Sequence, residues 1–343
     1  MTIRSFPLIA AFAAFASLTA ATPLAAQDVA LPEAPAAWAK ADRELMVPVE
    51  GGNIWVRVNG DLDAEHPPVM FIHGGPGGTH LGFGALTTLA DERAVILYDQ
   101  LDSGKSDRPE DPANWRVERF VSELEAIREA LGIERWHVAG HSWGSALALE
   151  YAAAHPEHTE SAVLGGTFIS TPHWILGTNL LIRDLPDAVQ DDIIACESKT
   201  PPAADICGPA TEAFYRAYNG RPDRPAPSPE ALAYRQLYKG QGFNGTLYNA
   251  MWGPSEFSAR GTLVGYDATP LLSRIDGART LFMIGQYDEA RLDTVQDFVT
   301  LTPGAELAVI PGGSHSFIGE RPAITEAILR SWMSRIDARG DSK

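Results

Sequence analysis

Residues 136–154 read Trp136-His137-Val138-Ala139-Gly140-His141-Ser142-Trp143-Gly144-Ser145, followed by Ala146-Leu147-Ala148-Leu149-Glu150-Tyr151-Ala152-Ala153-Ala154. Trp136–Ala139 is a β-rich run of strand length, and Ser145–Ala154 is dominated by strong helix formers. Gly140-His141-Ser142-Trp143-Gly144 between them fits G-x-S-x-G. As a bare pattern it is weak, because a serine in a tight turn can simply cap the following helix. Placed between a strand and a helix, it is a nucleophile elbow: the glycines permit a sharp turn that lifts the Ser142 hydroxyl to the end of the strand. The helix N-terminus beneath it favours developing negative charge.

Outward from this stretch, short apolar runs and helical patterns alternate. Glu44–Val49 and Asn53–Val58, separated by Gly51-Gly52, form an expected hairpin. Val69–Ile72, Ala94–Tyr98, Trp136–Ala139, Ala162–Leu164, Thr280–Ile284 and Leu307–Ile310 are expected strands, with helices over Val117–Leu131, Ser142–Ala154 and Pro322–Arg335. Such alternation predicts a mostly parallel central sheet flanked by helices. It breaks from Thr167 to Asp276, where Pro-rich segments and helix-like pieces replace strands. The expected organisation is a core in two parts, 27–166 and 277–343, with an inserted, mostly helical cap over 167–276. The cap would close the crevice at the carboxyl ends of the strands.

Two further constellations complete the chemistry. In folds built around this elbow the chain order is Ser, then Asp or Glu, then His. Of nine histidines only His315 follows the last strand, in the glycine-rich, flexible loop Pro311–His315. Asp288 follows Thr280–Ile284 and precedes His315 by 27 residues; Asp293 is the reserve acid, expected inside the next helix. The third segment, His73-Gly74-Gly75-Pro76-Gly77-Gly78, directly follows Val69–Ile72. An oxyanion hole needs two backbone N–H groups aimed at one point; Trp143, after the nucleophile, and Gly75 are the expected donors. A phosphate-binding loop is the alternative, but neither G-x-G-x-x-G nor a Walker pattern is present. Together these features predict an α/β-hydrolase fold with Ser142, Asp288 and His315 as catalytic residues and no metal or cofactor.

The composition is that of an ordinary globular chain, with 45% hydrophobic and 21% charged residues over a length of 343, which excludes a disordered protein. A formal net charge of −17 argues against nucleic-acid or anionic-membrane partners. Arg4, the apolar run Pro7–Ala21 and the small residues ending at Ala26 form an expected signal peptide over 1–26, which predicts a soluble mature chain in the periplasm or outside the cell. A membrane anchor is the alternative, but the run is short and closed by Pro23. In an oxidising compartment Cys196 and Cys207, the only cysteines, suit a disulfide; two separate buried thiols are the alternative.

The chain resembles the proline iminopeptidase family of α/β-hydrolases over about residues 45–335. The resemblance rests on HGGPGG at 73–78, YDQ at 98–100, SGKSDRP at 103–109, GHSWGS at 140–145, MWGPSEF at 251–257 and GQYDEA at 285–290. It implies removal of an N-terminal residue, often proline, from small peptides or amides, with the free amine held by two acids that match Glu256 and Glu289. Two carboxylates in a covered site can hold an ammonium by charge-assisted hydrogen bonds; the alternative for each is a solvated surface acid. Leu101-Asp102, where many members carry Arg-Gly, and the insertion bearing the cysteines depart from the family pattern. An esterase, lactonase or amidase that ignores the amine is the alternative enzyme, and a binding protein on a hydrolase scaffold the alternative of another kind.

Overall fold

The apolar runs become one sheet whose central strands are buried at nearly every position, while its edge strands are only partly covered. The computed structural model describes residues 27–28, 40–198, 204–237 and 242–340; the expected signal peptide lies outside the described residues. The strands are β1 (Gln27–Asp28), β2 (Arg43–Val49), β3 (Gly52–Asn59), β4 (Val69–Ile72), β5 (Val95–Tyr98), β6 (Trp136–His141), β7 (Thr159–Gly165), β8 (Thr280–Gly285) and β9 (Glu306–Ile310). Their spatial order is β1-β2-β3-β5-β4-β6-β7-β8-β9. From β5 to β9 every pairing is parallel, while β1, β2 and β3 attach antiparallel. Gln27 and Asp28 pair with Met46 and Leu45 at the edge of the sheet.

The helices are α1 (Val117–Leu131), α2 (Trp143–Ala154), α3 (Thr171–Ile182), α4 (Asp187–Cys196), α5 (Ala204–Tyr218), α6 (Pro229–Leu237), α7 (Gly245–Met251), α8 (Leu292–Thr300), α9 (Phe317–Glu320) and α10 (Pro322–Gly340). The period-2 alternation of strands sorts the core into two layers. Met70, Ile72, Ile96 and Tyr98 face Phe120, Leu124 and Leu147 of α1 and α2, whereas Val69, Phe71, Val95 and Leu97 face Trp332, Met333 and Ile336 of α10. Burying such side chains contributes roughly 1.5–3 kcal/mol each. Among the described residues no helix is long and apolar enough to cross a membrane.

Among the described residues, five α-helices, α3 to α7, lie between β7 and β8. Part of this segment has its own apolar cluster, with Leu181, Ile193, Phe214 and Phe257 among its members. A disulfide joins Cys196, the last residue of α4, to Cys207 in α5, with the two Cα atoms 5.6 Å apart.

Candidate active site

β6 delivers Ser142 at its carboxyl end, beside the loops after β4, β8 and β9. Ser142 has φ 57° and ψ −126°, a region that costs a residue with a Cβ about 1–3 kcal/mol unless its surroundings hold it. They do: the Ser142 N–H donates to Gly165 O at 2.8 Å, and its carbonyl accepts from the Ser145 N–H at 2.7 Å. Gly144 lets the elbow pass β4, since a Cβ there would lie 2.0 Å from Ile72 O. Trp143 opens α2, so its N–H is one of the first-turn donors without an acceptor inside the helix.

The glycine loop after β4 closes the other side. Gly75 has φ +116° and lines the same cavity as Ser142. Gln100 ties the start of the glycine loop, at His73, to Trp143. Its Nε2 donates to His73 O at 3.0 Å, its backbone N–H donates to His73 Nε2 at 3.0 Å, and its Oε1 accepts from the Trp143 indole at 3.1 Å. Burial lowers the His73 pKa to about 4, so the ring stays neutral and can accept at Nε2. The sequence carries Gln100 in plain view in YDQ, but only the fold shows that it spans β4, β5 and α2.

His315 and Asp288 meet as expected: His315 Nδ1 lies 2.7 Å from Asp288 Oδ1. Asp288 is buried and accepts two further bonds, from the Ala290 N–H at 2.9 Å and the Gly285 N–H at 3.1 Å. Asp293 sits in the first turn of α8, 2.6 Å from Arg291, as an exposed ion pair. The loop that carries His315 is not loose, despite its glycines. The His315 N–H donates to Tyr218 O at 2.9 Å, the Ser316 N–H to Asn219 O at 2.9 Å, and His315 O accepts from His141 Nε2 at 2.7 Å. Only a distant segment, the end of α5, supplies the first two of these acceptors.

Ser142, His315, Gly75, Glu256, Asn219 and Tyr248 are among the residues lining a cavity of about 510 Å³. Glu256 is half-buried and accepts from the Tyr248 hydroxyl at 2.7 Å. Glu289 is fully buried and lies behind the lining: its Oε1 accepts from Asn219 Nδ2 at 2.7 Å and is 3.6 Å from His315 Nε2. Its Oε2 has no partner among the described residues. Burial raises both carboxyls above the usual range, Glu289 further because the charge of Glu256 adds to the desolvation. Burial also opposes charge on His315, but the carboxylates of Asp288, Glu289 and Glu256 outweigh it and raise that pKa to about 9. Asp288, Glu289 and Glu256 thus crowd one imidazole and favour its charged form. Tyr248 and Asn219, which hold the two glutamates, carry no motif by which the sequence could single them out.

The chain matches the sequence model of the alpha/beta hydrolase fold over residues 67–322, which places it in the class that its sheet order and elbow define. It is 35% identical to the proline iminopeptidase of Heyndrickxia coagulans over 294 residues, covering 85% of this chain and 99% of that protein. Among solved structures, the proline iminopeptidase of Mycobacterium smegmatis superposes with a TM-score of 0.75 at 31% identity, over 87% of this chain and 99% of the other. VinJ gives 0.77 at 30% identity, over 86% and 99%. The chain belongs to the proline iminopeptidase family of α/β-hydrolases.

Proposed function

We propose that this hydrolase is a serine aminopeptidase that releases an N-terminal residue, proline or another small apolar one, from short peptides or amino-acid amides. The observation that carries this reading is the pair of acids beside the Ser142 cavity. Glu289, buried with a free Oε2, and Glu256, in the cavity wall, offer a substrate ammonium or prolyl NH₂⁺ two charge-assisted acceptors of roughly 1.5–3 kcal/mol each.

In this reading His315 takes the Ser142 proton as the hydroxyl attacks the scissile carbonyl, and Asp288 holds the imidazole and stabilises its charge. The N–H groups of Gly75 and Trp143 receive the oxyanion, each worth about 3 kcal/mol. The C–N bond then breaks, His315 protonates the leaving amine, and water hydrolyses the acyl-enzyme through the same base. The substrate's charge between the acids would offset the field that keeps His315 protonated, so binding and activation of the base reinforce each other. We further propose that the chain is exported. The disulfide between Cys196 and Cys207 supports an oxidising compartment.

The test compares prolyl p-nitroanilide, its N-acetyl derivative and p-nitrophenyl acetate. Cleavage of the free anilide but not the acetylated one is expected. Turnover of the ester alone would overturn the aminopeptidase reading while leaving the serine chemistry in place.

A further inference from the structure

We propose that Asn219 is a positioning residue whose amide holds the Glu289 carboxylate away from His315 Nε2, keeping that nitrogen for the reaction and Oε2 of Glu289 for the substrate's cation. The inference rests on the reading of Glu289 as an amine-binding acid.

One oxygen, Oε1 of Glu289, has two suitors. Asn219 Nδ2 reaches it at 2.7 Å, and His315 Nε2 stands at 3.6 Å, beyond a hydrogen bond but within an ion pair. Nε2 is the nitrogen left for proton transfer, because Nδ1 is taken by Asp288 at 2.7 Å. A carboxylate that closed the remaining gap would make a salt bridge with the imidazolium and withdraw the base. The geometry of Asn219 opposes this. It follows α5 directly, its own carbonyl accepts from the Ser316 N–H, and its N–H donates to Tyr215 O at 2.8 Å, so its backbone is fixed relative to the loop that bears His315. A neutral amide suits this role, because it donates to Oε1 without adding a charge that would compete with the substrate's. The charged and titratable groups around His315 are Asp288 at Nδ1, Glu289 at Nε2, Glu256 across the cavity and His141, whose ring centroid is 4.7 Å away. Of these, only Glu289 changes partner when Asn219 is removed.

The test is a double-variant cycle read without substrate. The titration of His315 is followed by NMR on protein labelled at the histidine ring carbons, with His315→Gln to assign the signal. Asn219→Ala is expected to raise the His315 midpoint by about one pH unit, which is about tenfold less neutral imidazole below the midpoint. Glu289→Gln lowers the midpoint, and Asn219→Ala added to it then changes nothing. No shift from Asn219→Ala in the wild-type background, or an equal shift in both, would overturn the proposal, since a merely structural role moves both. Should Asn219→Ala lose its near-UV dichroism, Asn219→Ser, polar but too short to reach Glu289, enters the same cycle. Prolyl p-nitroanilide cleavage by the wild type decides the amine reading separately, so the two can fail independently.

Discussion

Asp288 and Glu289 are neighbours in sequence and opposites in environment, and they divide the site into a sheet end and a cap end. At the sheet end Asp288 receives three hydrogen bonds, from Gly285, Ala290 and His315. Its oxygens are matched by the turn after β8 itself. At the cap end Glu289 receives one, from Asn219, and Glu256 one, from Tyr248, each from a residue of the insertion. Ser142 and Asp288 are placed by local turns at strand ends, while the loop of His315 is pinned by Tyr218 and Asn219. On the proposed reading, recognition combines Glu289, from the turn after β8, with Glu256, Asn219 and Tyr248 of the insertion, and Oε2 of Glu289 is left for a ligand.

Breaking the sheet end should have the larger effect. Ser142→Ala is expected to reduce kcat on every substrate by about 10⁶-fold, and Asp288→Asn by about 10⁴-fold, with the thermal midpoint little changed. A residual rate of wild-type size in Ser142→Ala, measured on ester and anilide alike, would remove the nucleophile assignment. The cap end should respond more selectively. Replacing both Cys196 and Cys207 by Ser releases a short loop and is expected to cost about 3 kcal/mol in the chain-entropy model. Because α5 leads into Tyr218 and Asn219, anilide turnover should fall more than ester turnover, and denaturant titration alongside the two assays reads both effects. Equal losses on both substrates would mean that the cap supports the whole site rather than its recognition half.

The sheet end was also the legible end. The elbow stands out because a period-2 run changes to a helical one across G-x-S-x-G, and the order Ser142, Asp288, His315 needs no knowledge of the path between them. The strands matched their apolar runs to within a few residues because parallel strands are buried on both faces and tolerate little else. What stayed hidden are contacts between distant segments. Asn219 and Glu289 are 70 residues apart, and Gln100 and Trp143 are 43 apart; neither pair leaves a periodic trace. Glycines in 311–315 say that the chain can bend there, not that Tyr218 and Asn219 will hold it, so a loop read as flexible is pinned and His315 is buried. Glu256 and Glu289 entered only through resemblance, since a glutamate gives no local sign of the pocket it will face.

In the proposed division, acids at the cap end read the substrate's amine while the sheet end performs the bond cleavage. The most direct test is the ratio of kcat/KM for prolyl p-nitroanilide to that for p-nitrophenyl acetate, each at its plateau pH, in the wild type and in Glu256→Gln/Glu289→Gln. A fall in that ratio by about 10²–10³-fold, as expected for two lost charge-assisted bonds that do not add fully, would support the division. A proportional loss on both substrates, or no loss on either, would contradict it.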